Sequence, residues 1–264
     1  MKKNAVSLIP LIILALIWEV LSYFQKDFTV FFSSPSRITT LLFKELFQGD
    51  ILIHTLITAY EALAGLILGL VGGCAIGFSL IYFPKYSKIA YPYVLALSAI
   101  PTFALAPLMI IWFGTGLQMK IILSFLATVF TTAFQSYEGA QKVATSDQIF
   151  FELNHASNKQ RFWMLSFPSS IDWVIQSLKL NAGFCVLGAF IGEFIASEAG
   201  LGYIILKASG LYDTTYVFVA ILCIILLSTI FSFFASYVNK HKLRIIRTVT
   251  QLMLADESIL QDSV

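Results

Sequence analysis

The sequence predicts an all-α, polytopic membrane protein with about six transmembrane helices, and three observations carry that prediction. Of 264 residues, 58% are hydrophobic and only 12% charged, with a mean hydropathy of +0.83, whereas soluble domains carry about 25% charged residues. Apolar runs of spanning length recur at 6–24, 55–83, 91–113, 119–137, 177–196 and 216–238. One long polar interruption, 138–176, separates the fourth run from the fifth, and 245–264 reads as a polar tail. Residues 1–264 are taken as a single transmembrane domain.

Composition also narrows the chemistry. A net charge of +2 gives no reason to expect a nucleic acid as partner. Cys74, Cys185 and Cys223 lie far apart inside apolar runs, and His54, His155 and His241 are equally scattered. Neither a disulfide framework, a metal site nor a cofactor is expected from such spacings. An intramembrane enzyme would need a cluster of His, Asp or Cys at one depth, and none can be assembled here.

Taken in order, Lys2 and Lys3 precede the first run, and no small-residue cleavage site follows it, so an uncleaved span is expected. Trp18 and Tyr23 suit an interfacial belt. Ser34-Pro35-Ser36 starts a short helix in which Ile38, Leu41, Leu42 and Leu46 stand opposite Arg37, Thr40 and Lys44. That pattern predicts an amphipathic helix on the membrane surface, ending near Gly49-Asp50.

In the second run Gly65, Gly69, Gly73 and Gly77 fall four apart on one face, which lets a neighbouring backbone come close. Glu61, near the entrance, either has a partner or reaches interfacial water, the second being the plainer expectation. The third run follows the basic turn Pro84–Lys88 and holds Pro92, Pro101 and Pro107, predicting a kinked span. Ile100 to Pro107 is either a pathway wall, with Pro101, Thr102 and Pro107 as its residues, or a structural kink. After the tight turn Gly114-Thr115-Gly116, the fourth run offers Thr128, Thr131 and Thr132 as interior polar contacts, Thr131 being a further pathway candidate. The fifth run carries Glu193 near its outer end, followed by the glycine-rich Ser197–Tyr203. An intramembrane carboxylate is a functional candidate by default, but its place near the outer end of the run favours a structural bond to the glycine loop.

The 138–176 stretch is too polar for hydrocarbon and too apolar for a slack linker. Phe150, Leu153 and Asn154 share a helical face, Asn154 to Asn158 are turn and cap residues, and Ser157 or Asn158 starts a second helix holding Arg161, Phe162 and Leu165. Two short helices joined by a turn are predicted, the second ended by Phe167-Pro168. An ordinary amphipathic surface loop is the plainer reading. With the N-terminus inside, the inner segments hold twelve of the 17 Lys and Arg residues, leaving Lys26, Arg37, Lys44, Lys120 and Lys207 outside. This bias predicts cytoplasmic N- and C-termini and a cytoplasmic central stretch.

From Trp18-Glu19 to Arg244 the chain resembles the membrane subunit of bacterial ABC importers, the binding-protein-dependent permease family. The similarity lies in Pro35-Ser36, Ala99-Ile100-Pro101 with Pro107 and Trp112-Phe113-Gly114, and Glu193 followed by Gly200-Leu201-Gly202-Tyr203. It is strongest to the branch handling nitrate, sulfonate, taurine and bicarbonate, relatives of which also take heterocyclic vitamin precursors. The resemblance implies a type I importer permease fold in the bacterial cytoplasmic (inner) membrane, lying in the lipid bilayer.

It further implies three partners: an ABC ATPase dimer, a second permease subunit in a homodimer, and a soluble substrate-binding protein. The central stretch corresponds to the coupling (EAA) loop. Counting back from Phe167-Pro168, the family's glycine falls at His155, and its Glu-Ala-Ala falls at Ile149-Phe150-Phe151, where it is absent. The resemblance assigns ATPase coupling to Phe151, Glu152, His155, Ala156, Asn158, Arg161 and Phe162. No GxxxxGK[ST] phosphate loop occurs, so ATP hydrolysis is expected on a separate subunit and no catalytic residue here. The alternative is a stand-alone carrier or channel driven by an ion gradient, which calls for several mid-membrane charges.

Overall fold

The computed structural model describes residues 2–24 and 30–241, and all regular structure among them is helical. The helices are α1 (Lys2–Phe24), α2 (Pro35–Gln48), α3 (Ile51–Tyr82), α4 (Pro84–Ser98), α5 (Thr102–Phe113) and α6 (Leu117–Gln141). They continue with α7 (Thr145–Leu153), α8 (Asn158–Arg161), a π-turn at Phe162–Ser166, α9 (Phe167–Ile195), α10 (Leu201–Gly210) and α11 (Thr214–Lys240). The expected tail, 245–264, lies outside the described residues. Two compact units divide the described residues: those up to Tyr60 with Phe190–Leu227, and Glu61–Ala189 with those from Ser228 to His241.

In the first unit, α2 starts where Ser34 Oγ accepts the Arg37 N–H and Pro35 occupies the first turn, a position that needs no N–H. It ends at Gly49, whose N–H donates to the Glu45 carbonyl. Glu19 of α1 accepts from the Ser36 N–H (3.0 Å) and hydroxyl (2.7 Å), setting a negative charge at the positive end of α2. The apolar face predicted for α2 supplies Ile38 to a core with Ile51, Leu201, Ile204, Val219 and Cys223. Trp18 packs on Phe218, with ring centroids 5.3 Å apart.

In the second unit, α3 and α6 run parallel along a seam of matched small residues. A Cβ placed on Gly65, Gly69, Gly73 or Gly77 would strike Ser124, Thr128, Thr132 or Ser136 in turn, so every step of four on one helix meets a hydroxyl residue four further on along the other. Glycine is required because side chains there would force the backbones apart. Two residues of that seam also bring α6 against α9, which runs antiparallel to it: Gly188 faces Ser124, Asn181 Nδ2 donates to Thr132 Oγ1 (2.9 Å), and Ser169 Oγ donates to the Gly139 carbonyl (2.7 Å). Both α4 and α5 pack on α6, and the Tyr91 hydroxyl donates to Glu138 at 2.6 Å.

Among the described residues, four stretches are long and apolar enough to cross a membrane: Ile51–Tyr82, Leu117–Gln141, Asn158–Ile195 and Thr214–Lys240. Ile12–Phe24 is a shorter apolar helix. The third span, expected to be one kinked helix, is instead the pair α4 and α5, bent by 93°. Pro101 has no N–H and pushes Ile100 out of the helical region, so α4 closes with three-residue bonds from Ala99 to Ala96 and Ile100 to Leu97. Pro92 and Pro107, by contrast, stay inside their helices.

Two other expectations are corrected. Phe167-Pro168 does not end a helix, because α9 begins there and continues the helical run from Asn158. The π-turn, in which the Phe167 N–H reaches back to the Phe162 carbonyl, widens the backbone where the proline ring would otherwise meet a carbonyl four residues before it. Glu61 does not reach water either. It is fully buried, 2.7 Å from Lys120 Nζ, itself nearly inaccessible on α6. Burying either charge alone is costly, so the two are buried as a pair.

Candidate functional site

The predicted hairpin is α7, a turn and α8. Asp147 lies in the first turn of α7, favourable to the helix dipole. At its far end the His155 N–H donates to the Glu152 carbonyl (3.0 Å) and the Ala156 N–H to the Phe151 carbonyl (3.0 Å). That pair of bonds is a Schellman closure, which demands a left-handed residue, and His155 supplies it with φ of 52°. Ser157 then opens α8 in a reciprocal capping box. Its Oγ accepts the Gln160 N–H, and Gln160 Oε1 accepts the Ser157 N–H at 2.9 Å.

Side chains of the hairpin divide by direction. Ile149, Phe150 and Leu153 of α7 are exposed, Leu153 to 75%. Phe151 and Ala156 are half-buried, and His155 and Asn158 are exposed. Glu152 and Arg161 form a 3.5 Å ion pair across the turn, worth little at this exposure. Phe162 points inward: it is buried against Tyr82 (5.3 Å) and Phe78 (6.5 Å) of α3 and Phe167 (5.9 Å) of α9. Phe150 and Leu153 share one face, as predicted, yet neither is among the residues to which the resemblance assigns coupling. Their helical spacing was the available signal.

The pathway candidates are only partly gathered. Pro101 stands exposed at the 93° break with half-buried Thr102 beside it. Pro107 is exposed inside α5, and Thr131 is half-buried on α6, the helix against which α5 packs. Phe103 and Trp112 of α5 are exposed as well.

In the first unit, Glu193 is fully buried and closes the start of α10 with two other side chains. The Gly200 N–H donates to His54 Nδ1 (2.9 Å), the Leu201 N–H to Thr58 Oγ1 (2.9 Å), and the Gly202 N–H to Glu193 Oε2 (2.8 Å). Thr58 donates in turn to Glu193 Oε1 at 2.7 Å. Three successive N–H groups that no intrahelical carbonyl can satisfy are thus satisfied by side chains. His54 and Thr58 were not predicted for this role, although both lie on one face of α3, four residues apart.

Residues 62–244 match the family described as binding-protein-dependent transport system inner membrane component. The chain belongs to this family. It is therefore a multi-pass inner-membrane permease subunit of an ABC importer, whose ATPase is a separate subunit and whose solute arrives with a binding protein. A probable ABC transporter permease protein of Haemophilus influenzae is 28% identical to this permease, over 82% of this chain and 87% of its own. The formylaminopyrimidine transport permease protein ThiX of Halalkalibacterium halodurans is 28% identical over 62% of this chain and 65% of its own. The permease also shares its fold with a chain of the MetNI methionine ABC transporter in an inward-facing conformation, at a TM-score of 0.64 and 16% identity. That match covers 75% of this chain and 98% of the other.

Proposed function

We propose that the α7–α8 hairpin is the surface through which this permease receives the work of an ABC ATPase dimer, from the cytoplasmic side. The observation that carries this reading is the exposed apolar face of Ile149, Phe150 and Leu153, held by the His155 turn and the Ser157 cap. A short rigid helix with such a face suits a groove on a partner, where apolar side chains act as anchors. Phe151, Glu152, His155, Ala156, Asn158 and Arg161 complete the contact around it, Arg161 exchanging Glu152 for a rim carboxylate of the partner. Phe162 acts at the inner end, delivering movement of the hairpin to α3 through Tyr82 and Phe78. Cytoplasmic termini follow from the bias of twelve in 17 Lys and Arg residues towards the hairpin side.

Two copies of the chain enclose the pathway, each contributing Pro101, Thr102, Pro107 and Thr131. Closure of the ATPase pair rocks the packed helices as rigid bodies between inward and outward openings. The binding protein docks on the loops near 34–50 and 197–213. Thr102–Phe113 has no charged residue, which suits a neutral heterocycle of the formylaminopyrimidine kind better than an anion such as nitrate or a sulfonate.

A cross-link tests the reading. Leu153→Cys should join to a cysteine placed in the groove of the co-expressed ATPase, whereas Leu211→Cys, exposed near the end of α10, should not. Reaction of the second alone would reverse the orientation.

A further inference from the structure

A cavity of about 460 Å³ lies where the end of α3, the start of α4, the end of α6 and the α8–π-turn segment meet. Its lining includes Lys88 and Arg161, the hydroxyls of Ser87 and Tyr137, and the amides of Gln141 and Asn158, with no Asp or Glu. The carboxylate nearest in role, Glu152, holds Arg161 only at 3.5 Å and is itself exposed. Lys88 has no ion pair among the described residues. Ser87 is buried, its hydroxyl donating to the Pro84 carbonyl (2.8 Å) and lying 3.4 Å from the Tyr137 hydroxyl, so this polar part of the lining is held in place.

The depth of the cavity is marked by its neighbours. Tyr82, Phe83 and Tyr86 are exposed and meet edge to face at 4.9 and 6.2 Å, an aromatic group of the kind that sits at headgroup level. Two cations and several hydrogen-bond donors, without a carboxylate among them, form a site for an anion. Basic pockets between helices at a membrane surface take phosphate-bearing headgroups.

We propose that this cavity binds a phosphate group, carried by an anionic phospholipid or present as free phosphate. Bound there, the group bridges Lys88 of α4 and Arg161 of α8 and braces the hairpin against the membrane-spanning helices.

Binding is measured without the ATPase, so failure of the docking reading leaves this test intact. The full chain in phosphatidylcholine nanodiscs is titrated with phosphatidylglycerol or with inorganic phosphate. Bound lipid is read by native mass spectrometry, and the unfolding midpoint by heating. Stabilisation by phosphatidylglycerol alone assigns the site to a headgroup, and stabilisation by inorganic phosphate assigns it to the soluble ion. In either case Lys88→Gln should weaken binding about tenfold, Lys88→Gln with Arg161→Gln should abolish it, and Lys85→Gln, on the same turn but outside the lining, should leave it unchanged. The proposal is overturned if neither probe stabilises the wild type, or if Lys85→Gln weakens binding as much as Lys88→Gln does.

Discussion

Gly202 donates its N–H to Glu193 Oε2 across 2.8 Å, so a buried carboxylate caps the very helix that follows it in the chain. Glu193→Ala leaves the Gly202 N–H without its acceptor and the Thr58 hydroxyl with only the His54 carbonyl at 3.1 Å, and should cost about 3 kcal/mol, in the range of hydrogen bonds to charged groups. Glu193→Gln keeps one acceptor oxygen and should cost less. Thermal unfolding in detergent decides the matter, and equal midpoints for wild type and Glu193→Ala would show that the cap contributes nothing.

Glu61 and Lys120 should behave as a unit. Glu61→Gln takes its carboxylate from a buried ammonium, and Lys120→Met takes its ammonium from a buried carboxylate, each costing about 3–5 kcal/mol. The double variant removes both charges and should recover most of that loss. A double-mutant cycle on purified protein measures the coupling, and simple additivity would refute it.

Gly183 and Gly188 lie on one helix and make a matched pair. A Cβ at Gly188 would come within 2.6 Å of Ser124 Cα and 2.8 Å of the Leu123 carbonyl, backbone that cannot step aside, whereas a Cβ at Gly183 meets nothing. Gly188→Ala should therefore lower the unfolding midpoint. Gly183→Ala should hold or raise it, since alanine in a helix gains about 0.5–1 kcal/mol over glycine. Identical effects would argue against the close α6–α9 approach.

The hairpin separates docking from folding. Phe150→Asp and Leu153→Asp change exposed positions, so solute-stimulated ATP turnover of the assembled importer should fall at least about tenfold while insertion is unaffected. His155→Pro cannot reach a φ of 52° and should abolish turnover, whereas His155→Gly relieves a left-handed residue by about 1 kcal/mol and should retain it. Normal turnover in both aspartate variants would remove the hairpin from coupling.

Short-range features of the chain were legible in its residues alone. Gly65, Gly69, Gly73 and Gly77 announced a close helix contact, Ser34-Pro35 a helix start, and Asn154 to Asn158 the hairpin turn. Each depends on residues within a turn or two of one another, so periodicity and cap chemistry suffice. The partners of those features were not legible. That the glycines meet Ser124, Thr128, Thr132 and Ser136, that Glu61 pairs with Lys120 and that His54 and Thr58 join Glu193 in capping α10 all depend on which helices pack together. Two prolines belong with them: Pro101 breaks a span outright, while Pro168 passes inside a longer helix because the π-turn before it makes room. By itself the sequence determined an all-helical membrane body with a capped polar hairpin, because hydrophobic length and local hydrogen bonding are properties of the chain. Tertiary structure alone decided which charges could be buried and which phenylalanine turned inward, because a buried group's cost depends on the partner that packing brings to it.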